Sequence, residues 1–345
     1  MRMNRLAGLA AAIALMSSSA WAAKYNVRWV MIHEPSDTAE EAARDFSARI
    51  EKETGGDVAV EVLTRAQYKQ KYNNGKTLSP HQAMRKIFDG GAEMGQTYTW
   101  MLGGESPALL SLGMPYLFRD YNHAEAVLEG PIGKRLLEPL VASSGLRGLA
   151  YTYSGGFGMV ATTDREVRKP EDLSGLRLEV GRAPYAYGLE TSLGVSPVTV
   201  SPDSFVPLAK AKLIDGIETT FARFAEYGND KEAKYATNTE HYLLTTMIVV
   251  NEKFFQTLPE NYRQIINKVA VEVARRERVH AVGLINDSRK KLEARGVKVI
   301  DLTAAEKKEW ERALQPMYRV FERQVKKELI EEIRSTKGGA FTAQR

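Results

Sequence analysis

The residues best suited to recognising a small charged solute fall between Leu176 and Thr220. Leu176, Leu178 and Val180 alternate with Arg177, Glu179 and Gly181, the period-two pattern of a strand whose charges leave one face, and Gly181 with Pro184 ends it. Arg182 stands at that strand end, where a planar guanidinium can take a carboxylate in two parallel hydrogen bonds. Glu179 offers the opposite chemistry, accepting from an ammonium or a hydroxyl. A buried carboxylate is too costly to keep charged alone, so Glu179 in a cleft needs a cation or a proton. Arg177, two residues earlier on the same strand face, is one candidate partner. Farther on, Asp215-Gly216 reads as a turn, and Glu218, Thr219 and Thr220 lie on a strand whose end would offer a carboxylate and hydroxyls.

These residues sit where strands stop, and in an open α/β sheet ligands bind beyond the carboxyl ends of the strands. The elements that position them read as alternating strands and helices. Val27, Trp29 and Met31 mark a first strand. Thr38 and Glu41 have capping-box spacing at the start of a helix stopped by Gly55-Gly56, and Val58, Val60 and Val62 mark the next strand. Glu34 lies in the His33–Asp37 loop between them, at a helix start where free backbone N–H groups favour anions. Tyr98, Trp100 and Tyr185 place aromatic rings near strand ends, where they can wall a pocket. Lys134 to Val141 reads as one helix and Gly145 to Tyr153 as a strand. Asn238 and Tyr242 are further polar candidates. Between Pro259 and Gly296 apolar residues recur at helical spacing, predicting one helix of about 35 residues, about 50 Å long. That is too long for one ordinary domain and suggests a strut shared by two.

At 345 residues the chain can bury two ordinary cores, and its apolar and charged fractions are those of a globular protein. The first 22 residues resemble a cleavable targeting segment: Arg2 and Arg5, an apolar run from Leu6 to Met16, then Ala20-Trp21-Ala22. The apolar run is shorter than the roughly 20 residues that span hydrocarbon. Without Arg2 and Arg5 the formal charge of +5 falls to about +3, and the basic residues alternate with Glu along helices, which argues against nucleic acid as a partner. With no cysteine there is no disulfide, thiolate metal site or cysteine nucleophile.

The blocks MPYLFRDYNHAEAVLEGPIGKRLLEPL, KPEDLSGLRLEV and IDGIETT, in this order, resemble the solute receptors of tripartite ATP-independent periplasmic (TRAP) transporters, and the similarity runs to about residue 300. The resemblance implies an α/β, two-lobed periplasmic-binding-protein fold with a long helix shared by both lobes. It places residues 23–153 with about 244–283 in one lobe, and 154–243 with about 284–345 in the other. It further implies ligand-driven closure, no cofactor, and delivery by a monomer of a small organic solute, a carboxylate or zwitterion, to integral-membrane permease subunits. The family is similar in placing one carboxylate-binding arginine where this chain has Glu179, and a second basic residue where it has Gly158. Two readings follow. Arg182 binds a carboxylate while Glu179 orients it or takes an amine; or Glu179 itself meets a cationic or hydroxyl-bearing ligand walled by Tyr98, Trp100 and Tyr185.

Other classes have less support. His33, His81, His123, His241 and His280 show no metal-ligand spacing, and there is no G-x-S-x-G elbow or phosphate loop. A secreted hydrolase is the remote alternative, and a ligand-sensing periplasmic receptor the nearer one. The targeting segment makes a direct prediction: mass spectrometry of the protein exported from its native host should find a mature amino terminus at Ala23, and an intact Met1 terminus would exclude cleavage.

Overall fold

The computed structural model describes residues 23–32, 37–200, 204–339 and 341. The predicted targeting segment and Glu34 lie outside them. The chain opens as expected with β1 (Tyr25–Met31), α1 (Asp37–Glu53) and β2 (Val58–Leu63). Helix α1 begins before Thr38, so Thr38 is not its cap. Helices α2 (Arg65–Tyr72) and α3 (Pro80–Phe88) follow, each started by a capping box, Thr64 with Gln67 and Ser79 with Gln82. Then come β3 (Met94–Tyr98), α4 (Tyr121–Leu128), α5 (Pro131–Leu137) and α6 (Pro139–Ser144). The single helix expected across 134–141 is therefore two, because Pro139 has no N–H to continue the ladder.

Strand β4 (Leu146–Thr162) runs well past the expected end at Tyr153. Beyond it lie β5 (Arg177–Val180), α7 (Ala183–Leu193), β6 (Ser196–Val198), α8 (Phe205–Lys210), β7 (Gly216–Thr220) and α9 (Phe221–Glu226). The chain ends with β8 (Tyr235–Asn238), β9 (Leu243–Asn251), α10 (Glu252–Thr257), α11 (Glu260–Ala294), β10 (Lys298–Asp301) and α12 (Ala304–Leu314), then α13 (Pro316–Val320) and α14 (Lys327–Ser335). The strand order is β2-β1-β3-β9-β4-β7-β5-β6, with β8 bridging β4 and β10. Parallel pairs on both flanks meet antiparallel pairs at β9 and β4, so the sheet is mixed.

β4 belongs to both halves of this sheet. Its residues up to Phe157 pair with β9, and Gly158–Thr162 pair with β7. The register shifts between Tyr153 and Phe157, where Gly155 and Gly156 hold φ of +84° and +85°. A side chain at Gly155 would come within 2.2 Å of Thr220 Oγ1, and one at Gly156 within 2.5 Å of the Tyr121 hydroxyl, so both space and torsion demand glycine.

Helix α11 has the expected length, 35 residues, and packs along β4, α1, α9 and β10. Its first half buries Ile266, Val269 and Val273 against Trp29 and Phe46, while Leu292 near its end joins the cluster of Met159, Ile217 and Phe224. Glu277, near its middle, is buried and accepts a hydrogen bond from the Tyr153 N–H at 2.9 Å. Burial pushes the Glu277 carboxyl up to about 8. The folded protein thus holds a proton there that the unfolded chain has released. Stability linked to Glu277 is complete below the unfolded value near 4.5 and is lost as pH rises through about 8. Urea unfolding at pH 5, 7 and 9 should show a falling midpoint that flattens in Glu277→Gln; an equal slope in the variant would assign the loss elsewhere.

Candidate functional site

The carboxyl ends of β3, β5 and β7 open onto one cavity of ≈ 290 Å³. Its walls are Tyr98, Trp100, Glu179, Arg182, Glu218 and Arg223, with Thr219, Tyr227 and Tyr242 between them. The starts of α2 and α3 add Arg65 and His81. The rings of Tyr98 and Trp100 stack with centroids 5.7 Å apart. Among the described residues no cluster of ligand-type side chains suits a metal ion, and no helix is long and apolar enough to cross a membrane.

Most of the residues singled out from sequence meet here: Tyr98, Trp100, Glu179, Arg182, Glu218, Thr219 and Tyr242 all line the cavity. Four do not, and each is committed elsewhere. Arg177 turns outward to a bidentate pair with Asp215, 2.6 and 2.9 Å, so it is not the partner of Glu179. Tyr185 lies behind the wall with its hydroxyl donating to Leu110 O at 2.7 Å. Thr220 donates to Ser154 O at 3.2 Å and caps α9. Asn238 reaches outward to Glu240 and Asp301.

Arg182 lines the cavity but already has its carboxylate. Its Nη2 donates to Glu218 Oε1 at 2.6 Å and its Nη1 to Gly113 O at 3.0 Å, and the Tyr242 ring lies 3.5 Å from its guanidinium carbon. His241 Nε2 donates to the same Glu218 oxygen at 2.8 Å, while its Nδ1 accepts from the Thr239 hydroxyl at 2.7 Å. Burial lowers the His241 pKa and keeps the ring neutral. Burial also works to raise Glu218, but the Arg182 charge and the His241 hydrogen bond outweigh it and hold the carboxyl at about 2.

Glu179 behaves in the opposite way. It is 1% exposed, and its Oε1 has no hydrogen-bond partner among the described residues. Burial, then the neighbouring Glu218 charge, raise its carboxyl well above the ordinary range, with Arg223 pulling the other way. Its carboxyl therefore holds a proton more tightly than an exposed glutamate does, in contrast to the neighbouring Glu218.

Arg223 was not foreseen. It sits in the first turn of α9, directly after β7, and is 4% exposed. Its Nη1 donates to Ser154 Oγ at 3.0 Å and its Nη2 to the Tyr227 hydroxyl at 2.8 Å, with the Tyr227 and Tyr98 rings 4.9 and 5.8 Å from its guanidinium carbon. Among the described residues no carboxylate oxygen comes within 4.0 Å of it. The available signal was its place just beyond a strand of the cleft, in a helix turn whose other positions, Phe221 and Phe224, are core. Gly158 also has an account: Tyr242 fills the space in front of it, and a Cβ there would stand 2.1 Å from the ring.

The family model for bacterial extracellular solute-binding proteins, family 7, matches residues 29–324. The chain belongs to that family. Among curated relatives, the family 7 chain is 26% identical to the C4-dicarboxylate-binding protein DctB of Bacillus subtilis over 85% of its own length and 81% of the relative's. It is 26% identical to the 2,3-diketo-L-gulonate-binding periplasmic protein YiaO of Escherichia coli, covering 79% and 78%. A TRAP periplasmic solute-binding protein of Xanthobacter autotrophicus, solved with bound β-D-galacturonate, superposes with a TM-score of 0.79 at 25% identity over 90% of this chain and 100% of that one. The family 7 chain is therefore a solute receptor of the TRAP type, with the α/β periplasmic-binding fold and its long helix.

The Arg182–Glu218 pair carries a prediction. Removing one partner of a buried pair leaves an uncompensated charge and costs about 3–5 kcal/mol. Arg182→Met should lose that much in urea unfolding at pH 7, and the double variant Arg182→Met/Glu218→Gln should recover most of it. Loss under 1 kcal/mol in the single variant, a surface-like value, would mean that Arg182 is free for other work.

Proposed function

We propose that this receptor captures an organic carboxylate in the periplasm, holding it on Arg223, and passes it as a monomer to the integral-membrane subunits of a TRAP permease. The observation that carries the proposal is the buried Arg223 guanidinium, which lines the cavity and meets hydroxyls and ring faces but no carboxylate among the described residues. A guanidinium in that setting is matched by an anion from outside, because its contacts are neutral and the charge of Glu226 reaches it only from farther along α9. Relatives named for C4-dicarboxylate and diketogulonate binding, and the galacturonate-bound structure, support an acid as the ligand class. In this reading Arg182 is structural, and the family's usual anchor is moved from the β5 position now held by Glu179 to the start of α9.

Residues 23–153 with about 244–283, and 154–243 with about 284–345, then act as two lobes. They turn about the Gly155-Gly156 irregularity of β4 to close on the ligand, after removal of residues 1–22. A ligand touching both lobes favours the closed state by its differential affinity for it.

The test is a thermal-shift screen of Ala23–Arg345 with galacturonate, glucuronate, succinate and 2-oxo acids at millimolar concentration. Acid at about 100 times its Kd stabilises the fold by roughly 2.7 kcal/mol. Arg223→Gln should weaken the acid that binds by about 100-fold, also near 2.7 kcal/mol, while the surface control Arg177→Gln leaves it unchanged. Equal binding by Arg223→Gln would remove Arg223 from the ligand.

A further inference from the structure

The bend of β4 at Gly155-Gly156 is met by one side chain from outside the sheet. Tyr121, the first residue of α4, accepts a hydrogen bond from the Phe157 N–H at 3.2 Å, one residue past the glycines. Its ring packs on Tyr153 and Phe157, with centroids 5.9 and 4.9 Å away, one on each side of the bend. Between them, a Cβ at Gly156 would stand 2.5 Å from the Tyr121 hydroxyl and 2.9 Å from Ile285 of α11. Tyr121 thus touches β4 before, at and after its bend. The end of the chain holds Tyr121 in turn. Arg119 donates to Arg334 O at 2.7 Å and to Thr336 O at 2.8 Å, and His123 Nε2 donates to Ile333 O at 2.8 Å, so the carboxyl end of α14 is fixed to α4. Beyond α14 the Gly339 N–H donates to Asn122 O at 2.9 Å and the Phe341 N–H to Asn122 Oδ1 at 2.7 Å. The Phe341 ring then lies 5.6 Å from that of Tyr121, the one aromatic ring outside β4 that packs on it among the described residues. Helices α12 and α13, from which this arm comes, pack on α7. The arm therefore starts on the second lobe and ends on the first, against the bend between them.

The geometry points to a brace: the carboxyl-terminal tail, through Phe341, holds the Tyr121 ring against the β4 bend and narrows the range of lobe angles that the receptor samples without ligand. This rests on the reading that the lobes turn about Gly155-Gly156. Two adjacent glycines leave a strand unusually free to twist, so the restraint on this bend comes from the side chains packed on it. A ring in contact with both arms of the bend opposes their torsion only while its own position is fixed, and Phe341 with the two bonds to Asn122 fixes it from the far side of the chain. The consequence reaches the cavity although the tail contributes nothing to its wall. Apparent affinity scales with the fraction of receptor in the binding-competent arrangement, so a tail that limits the bend tunes capture without touching the ligand. Tyr121 is a positioning residue in this scheme, and Phe341 acts through it.

Two readouts on the ligand-free protein test this. Hydrogen exchange at the Phe157 N–H reports the bend itself. The spread of distances between nitroxide labels on Lys76→Cys and Lys212→Cys, both exposed and one in each lobe, reports the lobe angle, in a chain with no cysteine of its own. Ending the chain at Thr336, or making Phe341→Ala, should speed Phe157 exchange at least about fivefold and broaden the distance distribution, with the urea midpoint unchanged. Phe341→Tyr keeps the ring and should behave as the full chain. Unchanged Phe157 exchange in the shortened chain would overturn the brace. So would a rise shared equally by the amides of β1 and β3 with a lower urea midpoint, which would make the tail a general stabiliser. Faster Phe157 exchange with an unchanged distance distribution would instead overturn the reading that the lobes turn at this bend, and leave Tyr121 as its local prop.

Discussion

The cavity's chemistry depends on the buried pair between Arg182 and Glu218. Two ions withdrawn from water on adjacent strand ends are stable there only because each has the other, with His241, Gly113 O and the Tyr242 ring filling their remaining directions. The pair has two effects beyond its own stability. It keeps Glu218 ionised, and that charge adds to the effect of burial in raising the carboxyl of Glu179. It also removes Arg182 from the pool of available cations. Arg223 remains as a buried guanidinium in contact with no carboxylate among the described residues, with the charge of Glu226 acting on it from farther along α9. One ion pair thus bears on two other ionisable side chains, Glu179 and Arg223.

Much of this was legible in the chain itself. Period-two runs gave β1, β2 and β5, and the long apolar recurrence between Pro259 and Gly296 gave α11 at its full length. Such patterns are strong because burial of one face repeats over many residues. The weak points were local. Helix α2 is polar over most of its length, and only its capping box announced it. β4 was expected to end at Tyr153, whereas Gly155 and Gly156 bend the strand and let it continue into a second set of partners. In the site, seven of the candidates chosen by strand-end position line one cavity. What failed was the assignment of partners. Arg177 and Arg182 are both plausible anchors in one dimension, and only the fold shows that Asp215 and Glu218 have already claimed them.

At Gly158 and Glu179 the chain departs from the pattern of the receptors it resembles. At both positions the resemblance to TRAP receptors implied a basic residue, and the chain has none. Tyr242 occupies the volume in front of Gly158 and stacks on Arg182, so the loss of one side chain is coupled to the packing of another. The guanidinium at the cavity is instead supplied from α9, held by Ser154 and Tyr227. Position in the family pattern and position in space are separable, because cations reaching one cavity can start from different strands.

The length of α11 has a mechanical meaning. The helix is about 50 Å long, and the carboxyl of Glu277, near its midpoint, is held by the backbone of β4 next to the strand's glycine irregularity. Its two ends therefore lie about 25 Å to either side of that contact. If one half of the sheet turned by roughly 10° relative to the other, and the helix followed, each tip would travel about 4 Å in opposite senses. A small torsion at two side-chainless residues would so become a displacement as large as an amino-acid side chain at surfaces far from the cavity, with the filled or empty state of the cleft written on the protein's exterior.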